Sequence, residues 1–285
     1  MIFDWELLRE GLTAETIGYG VLLPAVITGV ALALAHQLLP SYRGMMGLVA
    51  SAALATAILS GYFALNLGPL VVRHFGNKWL PHLTVLAIPA GWYAGRNLAA
   101  SSTGLILGVT SFVAAVPLEA YSLVMQIFWA TVLGYASWVS GMALMYARLP
   151  SSVRALSMMV TAGTANLVLL AAGLSRMMHL AAMLAAASFG ASSVFLVLGD
   201  RESRLVRGLV PGFAVLLTGL MFCGYLGQGA QLPPSVYALV ALSPAALLLT
   251  RIGPEGVRWW RRGVISLVVL GGVQGAALLR VIRAT

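Results

Sequence analysis

The chain has 285 residues, 60% of them hydrophobic and only 9% charged, whereas a soluble domain has about 25% charged residues. So few charges exclude a water-covered surface on a chain of this size. Continuous blocks rich in Ala, Leu, Gly and Met exclude a lipid-spanning barrel, whose strands alternate apolar and polar residues.

What remains is an all-α fold, a polytopic transmembrane helical bundle. Each span needs about 20 apolar residues to cross the hydrocarbon and satisfies its own backbone. The net charge of +9 comes from basic residues scattered over short inter-helix loops. With no aromatic-interleaved basic domain, it implies membrane lipids as partners and no nucleic acid. The single cysteine, Cys223, lies inside an apolar block and has no internal partner for a disulfide.

Residues 1–14 read as an amphipathic segment. Ile2, Trp5, Leu7 and Leu8 suit the membrane surface, and Asp4, Glu6 and Glu10 suit water. Its acidic character differs from the basic start of a cleaved signal. Residues 15–285 read as a single transmembrane domain of about ten spans. The first runs from Thr16 to Leu39 and the second from Gly44 to Leu65. After a polar-interrupted connection comes a short span, Trp79–Gly95, carrying Pro81 and Pro89. Leu98–Val116 and the long, aromatic Ser122–Ala147 complete the first half. Arg148, Pro150 and Arg154 mark a mid-chain turn. The second half predicts spans at Val153–Leu174, Met177–Leu198, Leu205–Gly227, Ser235–Leu249 and Gly263–Val281.

Spans before and after Arg148 match in number, which suggests two five-helix halves, 16–147 and 153–283. An odd number of helices per half would invert one half relative to the other. The size and this layout are similar to those of small drug/metabolite-type transporters, an analogy of architecture without a motif behind it. The basic residues favour loops on one side, among them Arg43, Arg96, Arg148, Arg154, Arg201 and Arg258. By the positive-inside rule both termini lie outside the cytoplasm, in a bacterial inner (plasma) membrane.

Glu119 is isolated: no other acidic residue lies between Glu15 and Asp200, and Pro117 opens the backbone beside it. A carboxylate close to hydrocarbon is costly, so Glu119 is the candidate for ion or proton coupling; the alternative is a helix cap at headgroup level. Ser102, Thr103, Gln126, Thr161, Asn166 and Gln274 are polar residues inside apolar blocks and candidates for lining a cavity. Inter-helix hydrogen bonding is the simpler role for any one of them. His36 and His179 fall near span ends, with no HxxxH pair and no acidic cluster. Neither haem nor a metal is therefore expected.

Gly91/Gly95, Gly104/Gly108, Gly208/Gly212 and Gly271/Gly275 each place two glycines on one helical face. They allow close helix packing within the bundle or against partner membrane proteins. Pro24, Pro89, Pro211 and Pro244 fall inside spans and can break helices. No Walker, HExxH, GxSxG or DxxxD motif is present, which speaks against an enzyme. The reading is a secondary transporter or carrier for a small, weakly charged or apolar solute. A non-catalytic subunit of a larger membrane complex is the alternative, and a lipid-modifying or redox membrane enzyme the third.

Overall fold

The computed structural model describes residues 13–39, 44–67, 80–95, 122–198, 203–227, 232–251 and 259–284. The protein is a multi-pass helical membrane protein. Among the described residues, seven helices are long and apolar enough to cross a membrane.

α1 runs over Ala14–Leu38. Thr13 caps it, its side chain accepting from the Thr16 N–H at 3.2 Å. A π-helical turn, Gly18–Leu22, precedes Pro24. The wider turn sends the Leu23 N–H back to the Gly18 carbonyl and brings the chain into register for a proline that has no N–H to give. α2 spans Met46–Ala64. It ends in a Schellman motif: Asn66 takes a left-handed φ of 50°, and the Asn66 and Leu67 N–H groups bond the Phe63 and Tyr62 carbonyls.

The predicted third span is two short helices, α3 (Leu80–Leu86) and α4 (Ile88–Gly95), separated at Ala87. Pro89 is the reason, since it cannot bond the Val85 carbonyl. The Ser51 hydroxyl of α2 reaches the Ala87 carbonyl at the break, at 3.4 Å. The predicted span 98–116 lies outside the described residues, as do residues 1–12.

α5 (Leu123–Tyr146), α6 (Ser151–Ala171), α7 (Ser175–Leu198) and α8 (Ser203–Gly227) follow. Connections of three or four residues make consecutive helices antiparallel. Gly173, at φ 70°, closes α6 with a second Schellman pair, Gly173 N–H to Leu170 O and Leu174 N–H to Leu169 O. α9 (Pro234–Leu242) passes into a 3₁₀ segment, Ser243–Arg251, and α10 (Trp259–Ala284) ends the described chain.

α8 is the centre of the bundle. Its apolar window is 78% buried, against 22% for α1 and 24% for α10 at the periphery. It packs against α2, α3, α4, α5, α6, α7 and α9. Glycine permits the closest of these approaches. A Cβ on Gly47 of α2 would lie 2.5 Å from the Gly91 carbonyl oxygen and 2.8 Å from Gly95 Cα of α4. A Cβ on Gly208 of α8 would lie 2.7 Å from Gly47 Cα. Three backbones therefore touch where lipid offers no hydrophobic drive and contact area must supply the attraction. The Gly91/Gly95 and Gly208/Gly212 pairs act inside the bundle. Gly271 and Gly275 of α10 meet nothing within 4 Å.

The packing is not the same in the two halves. α1–α2 and α6–α7 are both tight hairpins. α1 also packs on α7, α2 on α8, and α5 on α8. A pseudo-two-fold would require α6 on α2, α7 on α3–α4, and α10 on α4. None of those pairs forms a comparable contact among the described residues.

Candidate functional site

The second part of the bundle contains a broken apolar helix with a polar cluster on one side and a cavity on the other. The break follows from Pro244. In an α-helix its missing N–H would orphan the Val240 carbonyl, and in a 3₁₀ helix the Ala241 carbonyl. Both are supplied from elsewhere. The Ser243 backbone N–H and its hydroxyl, at 3.0 Å, both donate to Val240 O, and the Ser140 hydroxyl of α5 donates to Ala241 O at 2.8 Å. Ser140 is fully buried and Ser243 is 1% exposed, so neither carbonyl has water as a substitute.

On one side of the break, Gln274 of α10 reaches inward. Its Nε2 donates to Thr161 Oγ1 at 3.0 Å and to Ser243 Oγ at 3.3 Å. Its Oε1 accepts from Thr164 Oγ1 at 3.2 Å. Thr161 also donates to the carbonyl one turn back in α6, Ser157 O at 2.8 Å, and the single Thr164 proton is shared between Gln274 Oε1 and Val160 O at 3.0 Å. One amide thus joins α6, α10 and the 3₁₀ segment. The cluster is uncharged and closed on itself, as buried polar groups in a membrane must be.

On the other side, α5, α8 and α9 enclose a cavity of about 290 Å³. Trp129 and Leu133 come from α5, Met221, Phe222 and Tyr225 from α8, and Tyr237 from α9. The rings pair across the helices: Trp129 and Phe222 have centroids 5.1 Å apart, and Tyr225 and Tyr237 6.2 Å apart in an edge arrangement. Gly224 makes room for the last pair, since a Cβ there would lie 2.9 Å from Tyr237 Cε1. The lining carries no charge. The Thr218 hydroxyl donates to Ala214 O, so the Ser137 hydroxyl is the donor in the 2.6 Å bond between Ser137 and Thr218. The Tyr237 hydroxyl is buried and has no hydrogen-bond partner among the described residues.

Of the residues expected to line a cavity, Thr161 and Gln274 come together, but in the hydrogen-bonded cluster rather than along a cavity wall. Asn166 is half-buried one turn further along α6, and its buried Oδ1 has no partner among the described residues. Gln126 is half-buried in the first turn of α5, below Trp129 and outside the cavity lining. Ser102, Thr103 and Glu119 lie outside the described residues. The aromatic wall was not singled out from the sequence; its signal was the density of aromatic residues in the fifth span and in the FCGY stretch of the eighth.

His36 and His179 are far apart. Ala25 of α1 meets Gly190 of α7, and Gly29 meets Gly190 and Val194, so the two helices run parallel. His36 lies eleven residues beyond Ala25 and His179 eleven before Gly190, about 33 Å apart along the axes at 1.5 Å per residue. The two imidazoles cannot share a haem. Among the described residues no three His, Cys, Asp or Glu side chains gather as metal ligands. No family model matches the chain, and no curated protein or solved structure matches it significantly.

Proposed function

We propose that the protein is a membrane carrier for a small, weakly charged or apolar solute, and that the cavity between α5, α8 and α9 is its binding site. The observation that carries this reading is the cavity's position against a span that changes helix type partway across. α9 is nine residues long, about 14 Å, so the break falls near mid-depth. Broken spans at mid-depth are where carriers build binding sites, and an apolar, aromatic-lined concavity is the usual form of a small-molecule site.

The proposed topology has ten spans. The seven long helices are joined by the broken spans α3–α4 and α9 with its 3₁₀ segment, and by residues 98–116. Arg148 and Arg154 at the α5–α6 turn fall at the same end as Arg204 and Arg207 at the start of α8, and Arg176 falls at the other. This supports the arginine-rich end as cytoplasmic, with both termini outside, in a bacterial inner membrane. The carrier reading does not use an inverted repeat. Glu119 remains the residue proposed for coupling.

Flux through reconstituted vesicles tests the reading, with benzoate, indole and tyramine as weak acid, neutral solute and weak base. Protein should accelerate at least one over empty vesicles, and Ala136→Trp, which fills the cavity from α5, should remove the acceleration. No acceleration of any of the three would reject the carrier. The alternative, a non-catalytic subunit of a membrane complex, draws on α10. Gly271 and Gly272 are exposed, and with Gly275 they have open space where a Cβ would stand, a face that suits a partner helix. A stoichiometric partner in mild-detergent purification would favour it.

A further inference from the structure

The cavity between α5, α8 and α9 has a floor and a mouth of different character. Leu133, Met221 and Tyr237 at the floor are 5%, 1% and 3% exposed. Val132 and Leu242 at the mouth are 39% and 41% exposed. The surface beside the mouth is apolar too, with Phe128 and Tyr135 of α5 more than half exposed. The cavity therefore opens sideways, through the flank of the bundle. Along α5 its lining runs from Trp129 to Ala136, about 9 to 20 Å from the helix start. That is the depth of lipid tails, not of headgroups.

We propose that this cavity takes the acyl chain of a membrane lipid, entering from the bilayer between α5 and α9. Water is a poor occupant, because a bound water needs about two to four polar partners. The wall is almost wholly apolar, the Thr218 hydroxyl is engaged, and the Tyr237 hydroxyl is buried. An empty void forfeits the dispersion contacts of every atom lining it. Hydrocarbon lies at the mouth and matches the wall in polarity. At about 290 Å³ the space is at the lower edge of ligand sites, suited to one chain and not to a headgroup with its tails. Aromatic rings from three helices give that chain a rigid wall. The inference concerns the same cavity as the carrier reading but goes beyond it, since its occupant is a lipid tail and not the carried solute.

The test is photolabelling. The full chain is reconstituted in phosphatidylcholine vesicles containing a phosphatidylcholine with a diazirine midway along one acyl chain. After light and proteolysis, mass spectrometry locates the adducts. They are expected to concentrate on Trp129, Met221, Phe222 or Tyr225, above the level on Val264, Ile265 and Val268, which α10 exposes on its outer surface. Ala238→Trp, at the exposed mouth, should abolish the excess; Ala238→Phe serves if the larger variant does not purify as one species. Equal labelling of both regions, or labelling unchanged by either variant, overturns the proposal. Free 1-decanol tests for a saturable site: loss of the cavity label with the label on Val264, Ile265 and Val268 unchanged supports the chain site, and equal loss from both regions overturns it. Cavity labelling without solute flux keeps this inference and rejects the carrier; cavity-dependent flux without labelling does the reverse.

Discussion

Replacing Gln274 by Leu removes the one side chain that joins α6, α10 and the 3₁₀ segment. The structure sets a modest cost. Three hydrogen bonds are lost, at 3.0, 3.2 and 3.3 Å. Yet no hydroxyl proton is orphaned. Thr161, Thr164 and Ser243 each keep a backbone carbonyl to donate to, Ser157 O, Val160 O and Val240 O. The large penalty for a buried unsatisfied donor is therefore avoided. Side-chain hydrogen bonds between membrane helices average about 0.6 kcal/mol, with a maximum near 1.7. Two of the three bonds here are long, and Leu adds apolar contact. The expected loss is about 1–2 kcal/mol, read as the shift in reversible unfolding by SDS titration in mixed micelles. A cycle with Thr161→Val should assign a minority of it to that pair. A loss above about 4 kcal/mol, the range reserved for orphaned groups and cavities, would refute the assignment of these protons.

Gly47→Ala places a methyl against the α4 backbone and should destabilise the bundle by about 1–3 kcal/mol, whereas Gly271→Ala enters open space and should be neutral or stabilising in the same titration. Ser140→Ala leaves the Ala241 carbonyl without its donor, at an expected cost of about 1–3 kcal/mol, with faster hydrogen exchange confined to residues after Leu242. Glu119→Gln, which keeps size and hydrogen bonding but cannot titrate, should abolish gradient-driven uptake without loss of folded protein; unchanged uptake makes Glu119 a cap. A cysteine at Thr285 in a Cys223→Ser background should react with an impermeant reagent in intact cells, and reaction only after lysis reverses the topology.

The sequence was most readable where one local rule governs. Helix ends at the α5–α6 turn and at Gly173 follow from Arg148, Pro150 and the glycine itself. The division of the third span at Ala87 was foreshadowed by Pro89. The predicted ninth span shows the limit of such rules. Its start at Pro234 and its break at Pro244 are local matters, but the hydroxyl that serves the freed Ala241 carbonyl belongs to Ser140, 101 residues earlier in the chain. Gly47 shows the same limit: no glycine pair marks it, yet it receives the backbones of both α4 and α8.

By itself the sequence determined the solvent, the helical class and the candidate break points, because hydrophobic run length and proline chemistry act within about twenty residues. Only the tertiary structure decided the use of each polar and aromatic side chain. Gln274 and Thr161 look like cavity lining when read along the chain, and in the fold they satisfy each other. Trp129, Phe222 and Tyr237 look like ordinary apolar residues and in the fold enclose a cavity. In hydrocarbon, a side chain is bound or free according to what the neighbouring helix brings to the same depth. Helix order and rotation set that, and no local pattern encodes them.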